Sequence, residues 1–166
     1  MAVSCPARHN GRSTTSRAPE ETLVKPWEIE ARESIRDLVA RYNANGDTGR
    51  IDEMLTLFAE DARLEVPGET LRGRETIRAF MERIASGSGR KPIHLLRHFI
   101  ATHQIDLESP DAARGRCYYQ VLTEDGLDHW GLYVDEYVKH EDRWLFAARR
   151  ASVDGAVSGS WAREKS

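Results

Sequence analysis

An imidazole, a carboxylate and a phenol are the parts from which a site that moves a proton at carbon can be built. This chain offers them as His98, Asp47 and Tyr42. His98 lies in Ile93-His94-Leu95-Leu96-Arg97-His98-Phe99-Ile100-Ala101-Thr102-His103-Gln104-Ile105-Asp106-Leu107, a run rich in strand-forming side chains. On a strand it shares a face with Leu96 and Ile100, so its neighbours are apolar. Asp47 follows Gly46 between two helical stretches. It either caps the second helix, a job open to Thr48 as well, or folds back to hold one imidazole nitrogen of His98. The second arrangement fixes the tautomer and stabilises the imidazolium formed on proton abstraction. Tyr42 points inward with Ile35, Leu38 and Val39. It is either a core tyrosine or a donor to a substrate oxygen that gains charge.

Other polar residues fall on strands. Tyr118, Tyr119, Tyr133, Asp135 and Tyr137 read mostly as core, sheet-surface or interface groups. Asp135 is a candidate second pocket carboxylate, with a salt bridge to Arg149 or Arg150 as the favoured reading. Tyr119, Asp135, Phe58 and Ile100 are the candidate substrate contacts. No metal is expected. His94 and His98 stand four apart on a strand, ~13 Å, too far to share one ion. His103 has the opposite parity and faces away unless a bulge intervenes. No cofactor is expected either, since Gly87-Ser88-Gly89 is too little for a nucleotide loop. Cys117 reads as a small hydrophobe.

The 166 residues predict one domain with tails. A net charge of −3 argues against nucleic acid as a partner. No apolar run approaches the ~20 residues of a membrane span. Cys5 and Cys117 make neither a disulfide framework nor a zinc quartet, and a reducing cytoplasm fits best. Residues 1–19 carry Arg8, Arg12 and Arg17, no acid and little that is large and apolar. They read as a disordered tail, drawn over 1–24.

The elements that must position the candidates follow from periodicity. Pro26 opens a helix with Ala31, Ile35, Leu38, Val39 and Tyr42 on one face, and Gly46 is the expected cap. A short helix carries Ile51, Met54, Leu55 and Phe58. Arg63 to Val66 alternates as a strand closed by Pro67-Gly68. Arg74 to Ile84 is a third helix, followed by the flexible loop Ser86-Gly87-Ser88-Gly89. Strands are expected near 93–107, 113–123, 128–140 and 143–153, with hairpins at Asp125-Gly126 and Glu141-Asp142. The domain spans 25–155, and 156–166 reads as a tail. This is an α+β order, with helices on one face of a curved antiparallel sheet.

Read in order, several segments resemble the SnoaL-like branch of the nuclear-transport-factor-2-like superfamily. They are Ile35-Arg36-Asp37-Leu38-Val39-Ala40-Arg41-Tyr42, Leu57-Phe58-Ala59-Glu60-Asp61-Ala62, Leu71-Arg72-Gly73-Arg74-Glu75-Thr76-Ile77 and Arg97-His98-Phe99-Ile100-Ala101-Thr102-His103. Gly131-Leu132-Tyr133-Val134-Asp135 and Arg143-Trp144-Leu145-Phe146, with Arg149, complete the set. The resemblance covers about 27–155. It implies a cone-shaped domain, a strongly curved, mainly antiparallel sheet wrapped around three N-terminal helices, with an apolar pocket. It also implies dehydratase- or cyclase-type chemistry, with the histidine at His98, the carboxylate near Asp47 and the tyrosine at Tyr42. Dehydratases of the family carry a further Asp or His on the next strand. Here that stretch reads Tyr118-Tyr119-Gln120-Val121-Leu122-Thr123. The expected function is a cofactor-independent lyase or isomerase acting on a small, mostly apolar ring or polyketide-like substrate. The alternative is a non-catalytic binding module or the structural small subunit of an oxygenase-type complex. A homodimer, possible as a trimer instead, is expected because a curved sheet leaves one face needing cover.

Overall fold

The computed structural model describes residues 23–87 and 93–162. The tail expected over 1–24 lies outside them apart from its last two residues, and so does half of the loop at Ser86–Gly89.

Helix α1 spans Pro26–Asp47 and buries Ala31, Ile35, Leu38, Val39 and Asn43. Its start is closed by the Lys25 backbone N–H, which donates to Glu28 Oε2 at 2.9 Å. The helix does not stop at Gly46 as expected. It runs on to Asp47, and Thr48 ends it by donating its hydroxyl to the Ala44 carbonyl at 2.6 Å. Gly49, with φ 68°, then turns the chain. Helix α2 covers only Ile51–Leu55. Phe58 is therefore not a helical residue. It opens strand β1, Phe58–Val66, where the ladder with a later strand claims it.

Strand β2, Glu69–Arg72, folds back on β1 across Pro67-Gly68, and helix α3 runs over Arg74–Ala85. Four long strands complete the domain: β3 Leu96–Ser109, β4 Ala112–Thr123, β5 Gly126–His140 and β6 Arg143–Ala156. The six strands are ordered β2-β1-β6-β5-β4-β3, and only the β1–β6 pair is parallel. Two-residue turns make the last two hairpins tight. Glu141 and Asp142 have φ 47° and 62°, the double positive φ of a turn whose twist matches its strands.

The fold is α+β, with helices against the inner face of the curved sheet. Ile35, Val39, Phe58, Leu64, Ile77, Val121 and Phe146 fill the space between. Register shifts interrupt the ladders β3–β4, β4–β5 and β5–β6. Such bulges bend strands and re-aim side chains. The segment after β6 departs from the expected tail. Val157 N–H bonds the Asp128 carbonyl at 2.9 Å, and Ser160 and Ala162 are buried. Among the described residues no helix is long and apolar enough to cross a membrane.

Candidate active site

Asp47 and His98 meet. The last residue of α1 reaches the start of β3, where Asp47 Oδ1 lies 2.6 Å from His98 Nδ1. The second carboxylate oxygen accepts the His98 backbone N–H at 3.1 Å. Both side chains are mostly enclosed, 17% exposed for His98 and 10% for Asp47. Asp47 is thus not a helix cap. The N-cap position of α2 is Arg50, without a side-chain cap. A carboxylate facing Nδ1 requires the proton on that nitrogen, which leaves the Nε2 lone pair as the basic position.

The pair sits on the wall of a cavity of about 330 Å³ between α1 and β3. The wall is mixed. Val39, Ala40, Ala44 and Ile100 are aliphatic, whereas Arg36, Asn43, Asp47, His98 and His103 are polar. The helix residues follow from spacing, since 36, 40, 43, 44 and 47 share one side of an α-helix. Ile100 is the one proposed substrate contact on this wall.

The other candidates lie deeper or to the side. Tyr42 is not among the residues lining this cavity. Its ring meets Phe58 and Phe146 edge-on, at centroid distances of 5.8 and 5.5 Å. Burial raises the phenol pKa, against the pull of the nearby Arg149 cation. Phe58 is wholly buried in the core. Asp135 forms the salt bridge with Arg149. Arg149 Nε and Nη2 donate to its two oxygens at 2.8 and 2.7 Å, a fork-on-fork pair with both side chains fully enclosed. The guanidinium lies 4.3, 4.1 and 4.3 Å from the ring centroids of Tyr42, Tyr133 and Phe146. Burial works against the Arg149 charge, and Asp135 more than restores it. Tyr119 stacks on Tyr133 at 4.4 Å and donates its hydroxyl to the Ser152 carbonyl at 3.0 Å. Its ring centroid is 6.5 Å from that of His98.

Two features escaped the sequence reading. Between Ala101 and Gln104 the β3 strand spends one residue more than β4 does, and Thr102 takes φ 52°. The bulge turns His103 inward, onto the same cavity wall as His98. Parity alone pointed it the other way. The second feature is a buried pair on β5, in which His129 Nδ1 lies 2.7 Å from Asp128 Oδ2. Ser160 donates its hydroxyl to the same oxygen at 2.6 Å, and Trp161 meets the His129 ring edge-on at 4.9 Å. Period-2 alternation lets only one of two successive residues face inward, so no local signal marks both as buried.

Cys117 is buried, and burial raises its thiol pKa to about 11, which leaves it un-ionised at neutral pH. Among the described residues no three His, Cys, Asp or Glu come together as a metal-ligand set.

The chain is thus a helix-filled curved sheet with an acid–imidazole pair at a side cavity. Residues 27–150 match the SnoaL-like domain, and the chain belongs to that family. No protein with a curated description matches the chain. Among solved structures, a candidate scytalone dehydratase from Novosphingobium aromaticivorans superimposes with a TM-score of 0.70. It is 20% identical over 79% of this chain and 89% of the other. The hexachlorocyclohexane dehydrochlorinase LinA-type3 from Novosphingobium barchaimii gives 0.67 at 18% identity, over 80% and 94% of the two chains. A function-unknown protein from Mycobacterium tuberculosis gives 0.68 at 26%, over 81% and 79%. At these identities the first two speak for the fold.

Proposed function

We propose that this protein is a cofactor-independent lyase or isomerase of the dehydratase or cyclase type. The observation that carries the reading is the 2.6 Å contact between Asp47 and His98 Nδ1 on a cavity wall. With Nδ1 protonated, Nε2 takes a proton from a carbon next to a carbonyl. The electron pair moves onto the carbonyl oxygen as an enolate, and Asp47 stabilises the imidazolium formed. The enolate then expels a β-leaving group that takes the proton from the imidazolium, or is reprotonated by the imidazolium at another carbon, or attacks a second carbonyl carbon of the substrate to close a ring, the imidazolium proton going to the alkoxide formed. Arg36, on the same wall, supplies positive charge for the enolate oxygen. Tyr42 stands behind this wall, under Arg149, and in this reading it supports the core. The substrate is small and mostly apolar, matching the aliphatic side of the cavity. The names of the dehydratase and dehydrochlorinase structures support the reaction class.

The test is proton exchange in D₂O. Cyclic ketones and β-hydroxy ketones are incubated with the protein, and loss of the α-proton signal is followed by NMR. His98→Ala should slow exchange by roughly 10²–10⁴-fold. An unchanged rate removes His98 as the base.

One observation favours a second reading, a binding module or the small subunit of an oxygenase-type assembly. Phe99, Tyr118 and Trp130 are exposed. Their registers place all three on the outer face of β3–β5. The same patch fits a homodimer, the reading we favour. Mass spectrometry of proteins that copurify with the untagged chain separates the two.

A further inference from the structure

The bulge at Thr102 places a second imidazole in the cavity. A β-branched residue at φ 52° is strained. Such strain persists only where the surroundings hold it. Its effect here is local and specific. His98 and Ile100 face inward before the bulge, and His103 and buried Ile105 face inward after it. Without the extra residue, Thr102 and Gln104 would take those places.

Hydrogen bonding then fixes which nitrogen of His103 is free. Its Nε2 lies 3.3 Å from the Tyr137 hydroxyl oxygen. Tyr137 has one hydroxyl hydrogen, and donates it to Asp135 Oδ2 at 2.8 Å. The oxygen can therefore only accept from His103, which requires the proton on Nε2. Burial lowers the His103 pKa, and the Arg149 and Arg36 cations act in the same direction against Asp135. The ring is neutral, so Nδ1 carries a lone pair. Among the described residues Nδ1 makes no hydrogen bond.

The two histidines of the wall are thus opposite tautomers. His98 is backed by a carboxylate. His103 is backed by a neutral phenol, with cations nearby, and cannot hold a proton well. It is an acceptor without being a base. We propose that His103 is a specificity-determining residue whose Nδ1 accepts a hydrogen bond from a substrate hydroxyl, so that the preferred substrates are hydroxylated carbonyl compounds. The proposal rests on reading the cavity as the substrate site. It adds the second polar group that the substrate must carry, away from the carbon that His98 deprotonates. A ligand without that hydroxyl leaves a lone pair facing an apolar group, which costs affinity.

The test uses α-tetralone and its four derivatives with one hydroxyl on the aromatic ring. Binding is measured by calorimetry, and α-proton exchange in D₂O is measured on the same samples. The wild type should prefer one hydroxylated isomer over the parent by about tenfold. His103→Gln keeps an N–H toward Tyr137 but has no acceptor at the Nδ1 position, and should abolish the preference. His103→Asn keeps an acceptor near the Nδ1 position and should retain part of it. Where exchange is seen, the Gln variant should raise KM with kcat nearly unchanged, the mark of lost uniform binding. Melting curves confirm that both variants fold. A wild type with no preference for any isomer, or a Gln variant that keeps the preference, overturns the proposal. Preference without exchange leaves it standing and instead counts against the lyase reading.

Discussion

Asp47 holds His98 at two points, the ring through Oδ1 and the backbone through Oδ2, at 2.6 and 3.1 Å. One carboxylate therefore sets both the tautomer of the imidazole and the place of its strand relative to α1. A helix-terminal residue and a residue 51 positions later act as one unit.

This double grip separates two variants. Asp47→Asn keeps an acceptor for the backbone N–H but no longer stabilises an imidazolium. Turnover should fall by about 10²–10⁴-fold, with stability nearly unchanged. Asp47→Ala also strips the partner from the backbone N–H, and should cost a further ~1–3 kcal/mol of folding stability. Urea unfolding of the two variants beside a turnover assay checks both statements. Equal stability of Asn and Ala variants would show that the backbone bond contributes nothing.

The Asp135–Arg149 pair is the polar centre of the core. Asp135→Asn leaves a guanidinium that is fully buried and uncompensated, and should destabilise by about 3–5 kcal/mol. Replacing both partners, as Asp135→Leu with Arg149→Met, should cost less than the single change. Guanidinium chloride melts of the three proteins measure this. A double variant less stable than Asp135→Asn would contradict it.

Acid should weaken the fold through His129. Burial lowers its pKa against the raising effect of Asp128, with His98 adding to the lowering. A group whose folded value lies below its unfolded value of about 6.5 takes up its proton first in the unfolded state. Its contribution is complete above that value, and is lost as pH falls below it. Folding free energy should decline between pH 7.5 and 5.5, and His129→Asn should flatten that decline. His103 acts in the same sense, so some slope should survive.

The outer face gives a prediction about assembly. If Phe99, Tyr118 and Trp130 cover each other in a dimer, light scattering should report twice the chain mass at micromolar concentration. Tyr118→Glu should shift the protein to monomer without unfolding it. A monomeric wild type would end the dimer reading.

The fold was legible because its signals are periodic. The Arg74–Ala85 helix repeats Ile77 and Phe80 at helical spacing, and strands β4 and β5 alternate over most of their length. What escaped has no periodic signature. Strand β2 is four residues long, and its partner sets it. Phe58 looked helical beside Ile51, Met54 and Leu55, but the parallel ladder with Phe146 took it. At the site, the sequence left Asp47 open between a helix cap and a partner for His98, and the contact with His98 decides between them. The place of His103 was not readable, because a bulge at a non-glycine residue shows only in the register of the partner strand. Tyr42 was placed inward correctly, yet inward here means the aromatic cage of Arg149, not the cavity.

Strand β3 is one of the two outer strands of the sheet, so its free side offers unpaired peptide groups. Such a row is a template on which a foreign strand can add, the usual start of aggregation. Here an acidic side chain occupies one place in it. Asp47 takes the His98 N–H at 3.1 Å. The residue that orients the His98 imidazole therefore also covers a peptide group on which a foreign strand could add. Under the proposed function, solubility and turnover would then depend on the same carboxylate, and a chain without that activity would still have reason to keep an acid at position 47.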